Sequence, residues 1–207
     1  MSPSKSTYRA SICVVILAVL LAGCSSSQEA TQPQNPQVLI QTSLGAIKVE
    51  IYEKKAPITA PNFLRYVDER AFQGASFYRT VTMDNQPNND VKIEVIQGGL
   101  GAMAGRRERS HDPIPHETTD QTGILHKDGV LSMARAAPGT VTTEFFICIG
   151  DQPALDFGGT RNPDGQGFAT FGRVVEGLDV VRKIQQQPAE GQRITPVVEI
   201  INITRVK

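Results

Sequence analysis

The stretch FYRTV at residues 77–81, followed by VIQGG at residues 95–99, decides the fold that this chain is expected to adopt. Both segments are rich in β-branched and aromatic residues, and a dense cluster of turn-forming residues, DNQPNND, separates them. The pattern predicts strands over residues 76–83 and 91–97. Arg79 lies within the first of these strands, among apolar neighbours. Because a buried charge is costly unless it is paired, an arginine at this position indicates a function.

Short apolar segments at close spacing continue on both sides of this pair. The alternation at residues 38–53 predicts a β-hairpin, and the segment at residues 60–71 predicts a helix. Further elements are predicted as strands at 129–134, 144–149, 168–175 and 197–206 and as a second helix at 178–186. A long polar, glycine-rich loop covers residues 156–167. Many short strands with two helices are typical of a closed antiparallel barrel capped by helices, so the fold class is mainly β.

The N-terminus has the layout of a bacterial export signal. Lys5 and Arg9 precede an apolar run at residues 12–22, which is shorter than the about 20 residues that a membrane-spanning helix needs. The run ends in LAGC at residues 21–24, which looks like the site where bacterial lipoproteins are cleaved and acylated on the new N-terminal cysteine. An uncleaved membrane anchor or an ordinary signal peptide is the alternative.

These features predict three parts of the chain. We expect a signal peptide at residues 1–23, a lipidated Cys24 with a flexible tether at residues 24–37, and one folded domain at residues 38–207. The tether is expected to be flexible because its residues are almost all polar.

Composition excludes several classes of function. Removal of the signal takes the formal net charge from 0 to −2, so nothing indicates nucleic-acid binding. Cys148 is the only cysteine left in the domain, it lies in an apolar run, and we expect it to be buried and inert. No Cys/His cluster has the spacing of metal ligands, and we expect neither a metal nor a cofactor. The glycine-rich run at residues 98–105 lacks the packed helix that a dinucleotide site needs.

The three histidines do not indicate a hydrolase. His111, His116 and His126 lie in loop-like surroundings, and no elbow motif frames a serine nucleophile. We expect them to be exposed or structural.

A set of short blocks in a fixed order does indicate a function. The blocks are FYRTV at 77–81, VIQGG at 95–99, GVLSMARA at 129–136, EFFIC at 144–148, ALD at 154–156 and FGRV at 171–174. Together they resemble the cyclophilin family of peptidyl-prolyl cis/trans isomerases, and the resemblance covers residues 38–207. It implies a closed eight-stranded antiparallel barrel capped by two helices. It also implies an enzyme that needs no metal or cofactor.

The resemblance assigns site residues by position. Arg79 matches the family's catalytic arginine, and Gln97 matches its active-site glutamine, which we expect to position Arg79 or a bound water. Residues that match the substrate-binding face are Met133, Ala134, Arg135, Glu144, Phe146, Leu155 and Phe168. From the residues alone, Phe146 and Leu155 could equally belong to the core.

The chain departs from the family pattern at several of these positions. Glu94 stands where an aromatic residue is usual, and Val95 replaces a common methionine. Glu144 replaces a glutamine, Ala154 replaces a tryptophan or another aromatic residue, and Phe168 replaces a histidine or tyrosine. These changes affect the expected strength of catalysis and of inhibition by cyclosporin-type ligands more than they affect the fold.

The expectation from sequence is a monomeric prolyl isomerase that acts on proline-containing segments of exported proteins. It would be held to a membrane of the bacterial cell envelope by a lipid on Cys24. Ser25 lacks the aspartate that often retains lipoproteins in the inner membrane, so the periplasmic face of the outer membrane is favoured. The alternative is a module of the same fold that binds proline segments with little or no turnover.

Overall fold

The domain begins with a hairpin in the computed structural model, which describes Met1 and residues 35–101 and 110–206. Strand β1 (Gln37–Thr42) pairs with β2 (Gly45–Ile51), as the alternation predicts. The Thr42 hydroxyl closes the turn by donating to the Gly45 carbonyl at 2.7 Å. The predicted signal peptide beyond Met1, Cys24 and most of the predicted tether lie outside the described residues.

Eleven further elements follow along the described chain. They are α1 (Thr59–Asp68), β3 (Ala75–Val81), β4 (Val95–Gly99), α2 (Thr119–Thr122), β5 (Val130–Met133), β6 (Phe145–Cys148), a 3₁₀ turn (Pro153–Leu155), β7 (Ala169–Glu176), α3 (Leu178–Gln185), β8 (Ala189–Glu190) and β9 (Arg193–Arg205). The two long helices, α1 and α3, are those predicted from sequence.

Eight of the strands close into an antiparallel barrel. Their order is β1-β2-β7-β5-β6-β4-β3-β9, and pairing of β1 with β9 closes the ring. The short β8 pairs only with β9 and lies outside the barrel. The predicted mainly β, eight-stranded closed barrel with two helices is confirmed.

Aromatic side chains fill the barrel and hold α1 against it. The Phe63 ring on α1 contacts Phe72, Phe145 and Phe171 at centroid distances of 5.4, 5.5 and 4.9 Å. Burial of such large side chains is the main source of stability in a domain of this size.

Some predicted boundaries differ from the observed ones for local reasons. Helix α1 ends at Asp68 rather than at 71, because Arg70 adopts a left-handed conformation with φ of 56° that a helix cannot continue. Strand β4 begins at Val95 rather than at 91. The buried Gln86 amide bonds both backbone groups of Ile93, with N–O distances of 2.8 and 3.3 Å, so this part of the chain does not pair in the sheet.

A second, smaller apolar cluster lies apart from the barrel core. It consists of Val81, Ile93, Val95, Phe146, Cys148 and Leu155, with Ala134 and Phe168 packed against it. On β6, Phe145 and Ile147 enter the main core while Phe146 and Cys148 join this cluster, as strand alternation requires. Burial raises the pKa of the Cys148 thiol, which fits the expected inert cysteine.

No helix in the described parts of the chain has the length and apolar character needed to cross a membrane.

Candidate active site

Three neighbouring strands bring the two predicted polar residues beside Phe146. In the sheet register, Gln97 on β4 lies opposite Arg79 on β3 and opposite Phe146 on β6. The pairing of β3 with β4 shifts by one residue between Phe77 and Arg79, so Tyr78 is the extra residue of a β-bulge. Phe77 therefore points into the barrel core, and Arg79, two residues later, lines a cavity on the outer face.

The Arg79 guanidinium is held by two neutral amides. Its Nη1 donates to Gln97 Oε1 at 2.7 Å, and its Nε and Nη2 both donate to Gln192 Oε1, at 2.9 and 2.6 Å. Three of its five N–H groups are thus used by the described residues, which leaves one on each terminal nitrogen for a ligand. Burial lowers the pKa of Arg79, but an arginine remains protonated at any physiological pH.

A chain of hydrogen bonds fixes the orientation of Gln97. Its Nε2 donates to the Tyr78 hydroxyl at 2.8 Å, and that hydroxyl donates to Glu144 Oε2 at 2.6 Å. The other carboxylate oxygen of Glu144 accepts from the Gly101 backbone N–H at 2.9 Å. Burial, and then the Glu144 carboxylate, raise the pKa of Tyr78, which keeps the hydroxyl protonated as a donor. The amide oxygen of Gln97 is therefore turned toward Arg79.

A cavity of about 240 Å³ with both polar and apolar walls opens beside Arg79 and Gln97. Its remaining lining residues are Ile93, Val95, Ala134, Arg135, Phe146, Leu155, Arg161, Asn162 and Phe168. The rings of Phe146 and Phe168 meet edge to face at 5.3 Å and form one wall. The cavity can take a small apolar ring beside a fixed guanidinium.

A buried histidine supports the wall from behind. The His126 ring stacks on Phe146 at 5.9 Å, and its two nitrogens contact Asp156 Oδ1 at 2.7 Å and Ser132 Oγ at 3.0 Å. Asp156, His126 and Ser132 are hydrogen-bonded in the same order as the Asp-His-Ser triad of a serine hydrolase. His126 and Ser132 are only 1% and 0% exposed, however, so no substrate reaches them. Burial lowers the pKa of His126, opposed by Asp156. His126 is therefore structural, as expected from sequence.

The polar loop after the 3₁₀ turn is tied down by Arg135. Its Nη1 and Nη2 bind the two Asp164 oxygens at 2.8 and 2.9 Å, and its Nε donates to the Gly167 carbonyl at 2.8 Å. The guanidinium also lies over the Phe168 ring, 5.1 Å from the centroid. Arg135 thus contributes to the shape of the cavity, but the N–H groups that bind Asp164 and Gly167 are not available to a ligand.

Comparison with known proteins agrees with this geometry. The family model described as cyclophilin type peptidyl-prolyl cis-trans isomerase/CLD matches residues 37–206. The chain belongs to the cyclophilin family. Members of this family are peptidyl-prolyl cis-trans isomerases, so the chain is classed as an enzyme of this type.

Individual cyclophilins match over most of their length. A peptidyl-prolyl cis-trans isomerase of Acinetobacter baylyi is 35% identical over 173 residues, which cover 83% of this chain and 82% of that protein. Peptidyl-prolyl cis-trans isomerase B of Escherichia coli is 33% identical over 149 residues, covering 72% and 83%. A solved cyclophilin-type isomerase of Cryptosporidium parvum shares the fold with a TM-score of 0.63 at 20% identity, and the match covers 84% of this chain and 98% of that one.

Most of the residues that cyclophilin resemblance assigns to the site line one cavity. They are Arg79, Gln97, Ala134, Arg135, Phe146, Leu155 and Phe168. Met133 is fully buried in the barrel core and does not line it, because its neighbour Ala134 is the residue that faces the cavity. Glu144 does not line it either and reaches Gln97 only through Tyr78. Glu94, an unusual residue for this family, instead accepts a hydrogen bond from Gln185 at 3.1 Å.

Five residues of the site were not identified from sequence, one of which, Asn162, only lines the cavity beside Arg161. Tyr78 and Gln192 hold the two polar residues in place, and Ile93 and Arg161 line the cavity. Gln192 carried no sequence signal, because it lies 113 residues from Arg79 and only the pairing of β3 with β9 brings them together. Tyr78 adjoins Arg79 in the FYRTV block, so its proximity was visible but its contact with Glu144 was not.

Proposed function

We propose that this cyclophilin domain accelerates rotation about X-Pro bonds in exported proteins, with Arg79 as the transition-state donor and the 240 Å³ cavity as the proline site. The observation that carries the mechanism is the fixed guanidinium beside a small cavity with an aromatic wall.

The barrier to be lowered is that of amide resonance. Rotation about a peptide bond costs about 18–20 kcal/mol, because the twisted state loses its partial double bond. Uncatalysed X-Pro isomerisation therefore takes tens to hundreds of seconds. In the twisted state, the lone pair of the proline nitrogen is localised and becomes a hydrogen-bond acceptor.

Arg79 is suited to stabilise this twisted state. One free N–H on each terminal nitrogen can donate to the proline nitrogen and to the neighbouring carbonyl together. Gln97 and Gln192 hold the guanidinium before substrate arrives, so little reorganisation is needed at the moment of rotation. A donor that binds the twisted state better than either planar state gains about tenfold in rate for each 1.4 kcal/mol of preference.

The apolar side chains would hold the proline ring while the chain on one side turns. Phe146, Leu155 and Val95 offer a nonpolar surface beside the guanidinium. A cyclophilin-type isomerase of Cryptosporidium parvum has been solved in the presence of the dipeptide Ala-Pro. We extend binding of proline-containing polypeptides to this chain by family likeness.

We also propose that the protein is a monomeric lipoprotein of the cell envelope, anchored through Cys24 with residues 1–23 removed. The N-terminal sequence supports this, because basic residues are followed by an apolar run and then by LAGC. A tether that extends to residue 37 would let the domain at residues 38–207 reach unfolded chains near the membrane. Of the two membranes of the cell envelope, the outer one is favoured.

The proposal is tested on the domain expressed from residue 37. Isomerisation of a blocked Ala-Ala-Pro-Phe peptide is followed by a protease-coupled assay, and peptide binding is measured separately by titration. Acceleration that depends on Arg79 supports the mechanism. Binding without acceleration would replace it with the alternative of a proline-binding module.

A further inference from the structure

The cavity beside Arg79 is lined by two further guanidinium groups that the proposed mechanism does not use, those of Arg135 and Arg161. Arg161, from the long polar loop, lines the same cavity as Arg79. Its Nη1 donates to the Val91 carbonyl at 2.5 Å, which ties the loop to the segment before β4. Burial lowers the pKa of Arg161, so its charge is partly removed from water.

The positive charges of this cavity are not balanced. Arg135 is neutralised by both oxygens of Asp164, but the partners of Arg79 are amide oxygens and the partner of Arg161 is a carbonyl. Among the described residues that line the cavity, none is acidic. Two cations without an acidic partner among the described lining residues thus face one small cavity.

A purely structural role does not explain this arrangement well. One hydrogen bond to the Val91 carbonyl would join the two segments equally well from a neutral side chain. Partial burial of a charge without a counter-ion is costly, and an anion that enters the cavity would offset that cost. The missing partner is therefore a negative charge supplied by the ligand.

We propose that Arg161 determines substrate specificity by selecting a carboxylate on the residue that directly follows the proline. The proposal rests on the proposed docking of the proline ring in the cavity. Arg79 would bind the carbonyl of the proline itself, and the next residue of the substrate is bonded to that carbonyl. The side chain of that next residue would therefore lie close to the cavity wall. A glutamate or aspartate there would meet Arg161, with Arg79 adding to the favourable potential.

The experiment compares two blocked peptides that differ only in charge, Ala-Ala-Pro-Glu-Ala and Ala-Ala-Pro-Gln-Ala. Blocking both ends removes the terminal carboxylate as a competing anion. Cis–trans exchange is measured by NMR exchange spectroscopy, and kcat/KM is compared at low and high salt. We expect the wild-type domain to favour the glutamate peptide about tenfold at low salt, a ratio that corresponds to about 1.4 kcal/mol. The preference should be smaller at 0.5 M salt, because the Debye length there is about 4 Å and the attraction between the charges is screened.

Variants separate Arg161 from the general charge of the domain. Arg161→Gln should bring the ratio close to one, and Arg161→Glu should reverse it in favour of the glutamine peptide. The matched control is Arg173→Gln, which removes the same charge from the exposed face of β7 and should keep the tenfold ratio. Thermal unfolding of each variant shows whether the loop has been lost.

The possible results are distinct. Equal wild-type rates on the two peptides would overturn the inference while leaving the proposed isomerase function intact. A tenfold preference that persists in folded Arg161→Gln would assign the selection to Arg79 and also overturn it. Failure of the wild-type domain to accelerate either peptide would overturn the proposed function, and this inference with it.

Discussion

Replacement of Arg79 by alanine removes the donor on which the proposed mechanism depends. Loss of one preorganised transition-state donor costs about 2.7–4 kcal/mol in other enzymes, or about 10²–10³ in kcat. The guanidinium here is half-buried rather than sealed from water, which weakens its contribution. We therefore expect kcat/KM to fall by about one to three orders of magnitude in Arg79→Ala, with kcat falling more than KM rises, because Phe146 and Leu155 still hold the ring.

Arg79→Lys should restore little of this activity. A single ammonium cannot reproduce the three donors that now bind Gln97 and Gln192, nor the planar pair that would reach the proline nitrogen and carbonyl together. Both variants should still fold. The freed amide oxygens are part-buried and accessible to water, so we expect a loss of about 1 kcal/mol and a Tm lower by about 2–4 °C.

The assay follows kcat/KM with a protease-coupled peptide substrate and checks folding by thermal denaturation. Arg173→Ala, on the exposed face of β7, controls for the loss of one positive charge. A folded Arg79→Ala domain with undiminished kcat/KM would refute the transition-state role of the guanidinium.

Three further predictions test other parts of the protein. If Cys24 is acylated, Cys24→Ser should abolish processing and move the protein from the membrane fraction to the soluble fraction; unchanged fractionation would contradict the lipoprotein proposal. Cyclosporin-type ligands should inhibit the domain about a hundredfold more weakly than they inhibit cyclophilins with tryptophan at position 154, because Ala154 lacks a large aromatic contact, and nanomolar inhibition would contradict this. Hydrogen bonds from Arg135 lower the pKa of Asp164 to about 2, below its ordinary value of 3.8, so this pair stabilises the fold above about pH 4 and is lost as the pH falls through about 2. The Tm difference between wild type and Asp164→Asn should therefore shrink between pH 5 and pH 2, and a difference independent of pH would exclude the ion pair as its source.

Local patterns in the sequence were sufficient for the strands and for the closed barrel. Alternation of apolar residues marked the hairpin, a continuous apolar run marked β6, and turn residues separated the short strands. The end of helix α1 was predicted three residues too late, because nothing in the sequence required the left-handed conformation of Arg70. Strand β8, of two residues, is too short to give any periodic signal.

Site residues whose pattern lies within a single strand could be predicted from the sequence. Site residues that come together from distant segments could not. Arg79 and Gln97 stood out within single strands, and they lie opposite each other in the sheet. Gln192 could not be found, because its role depends on the register of β9 against β3. The assignment of Met133 came from resemblance, and a four-residue strand that is buried throughout gave no alternation to separate the core face from the cavity face.

The bulge at Tyr78 has a consequence for how this chain can change. In the bulge, Tyr78 and Arg79 both reach Gln97, so β3 presents two consecutive side chains to the outer face where an uninterrupted strand would present one. Deletion of position 78 would leave Arg79 directly after Phe77 and still on the outer face, but it would remove the hydroxyl that accepts from Gln97. The extra residue of β3 thus supports the orientation of Gln97 and is not needed to place Arg79 on the outer face.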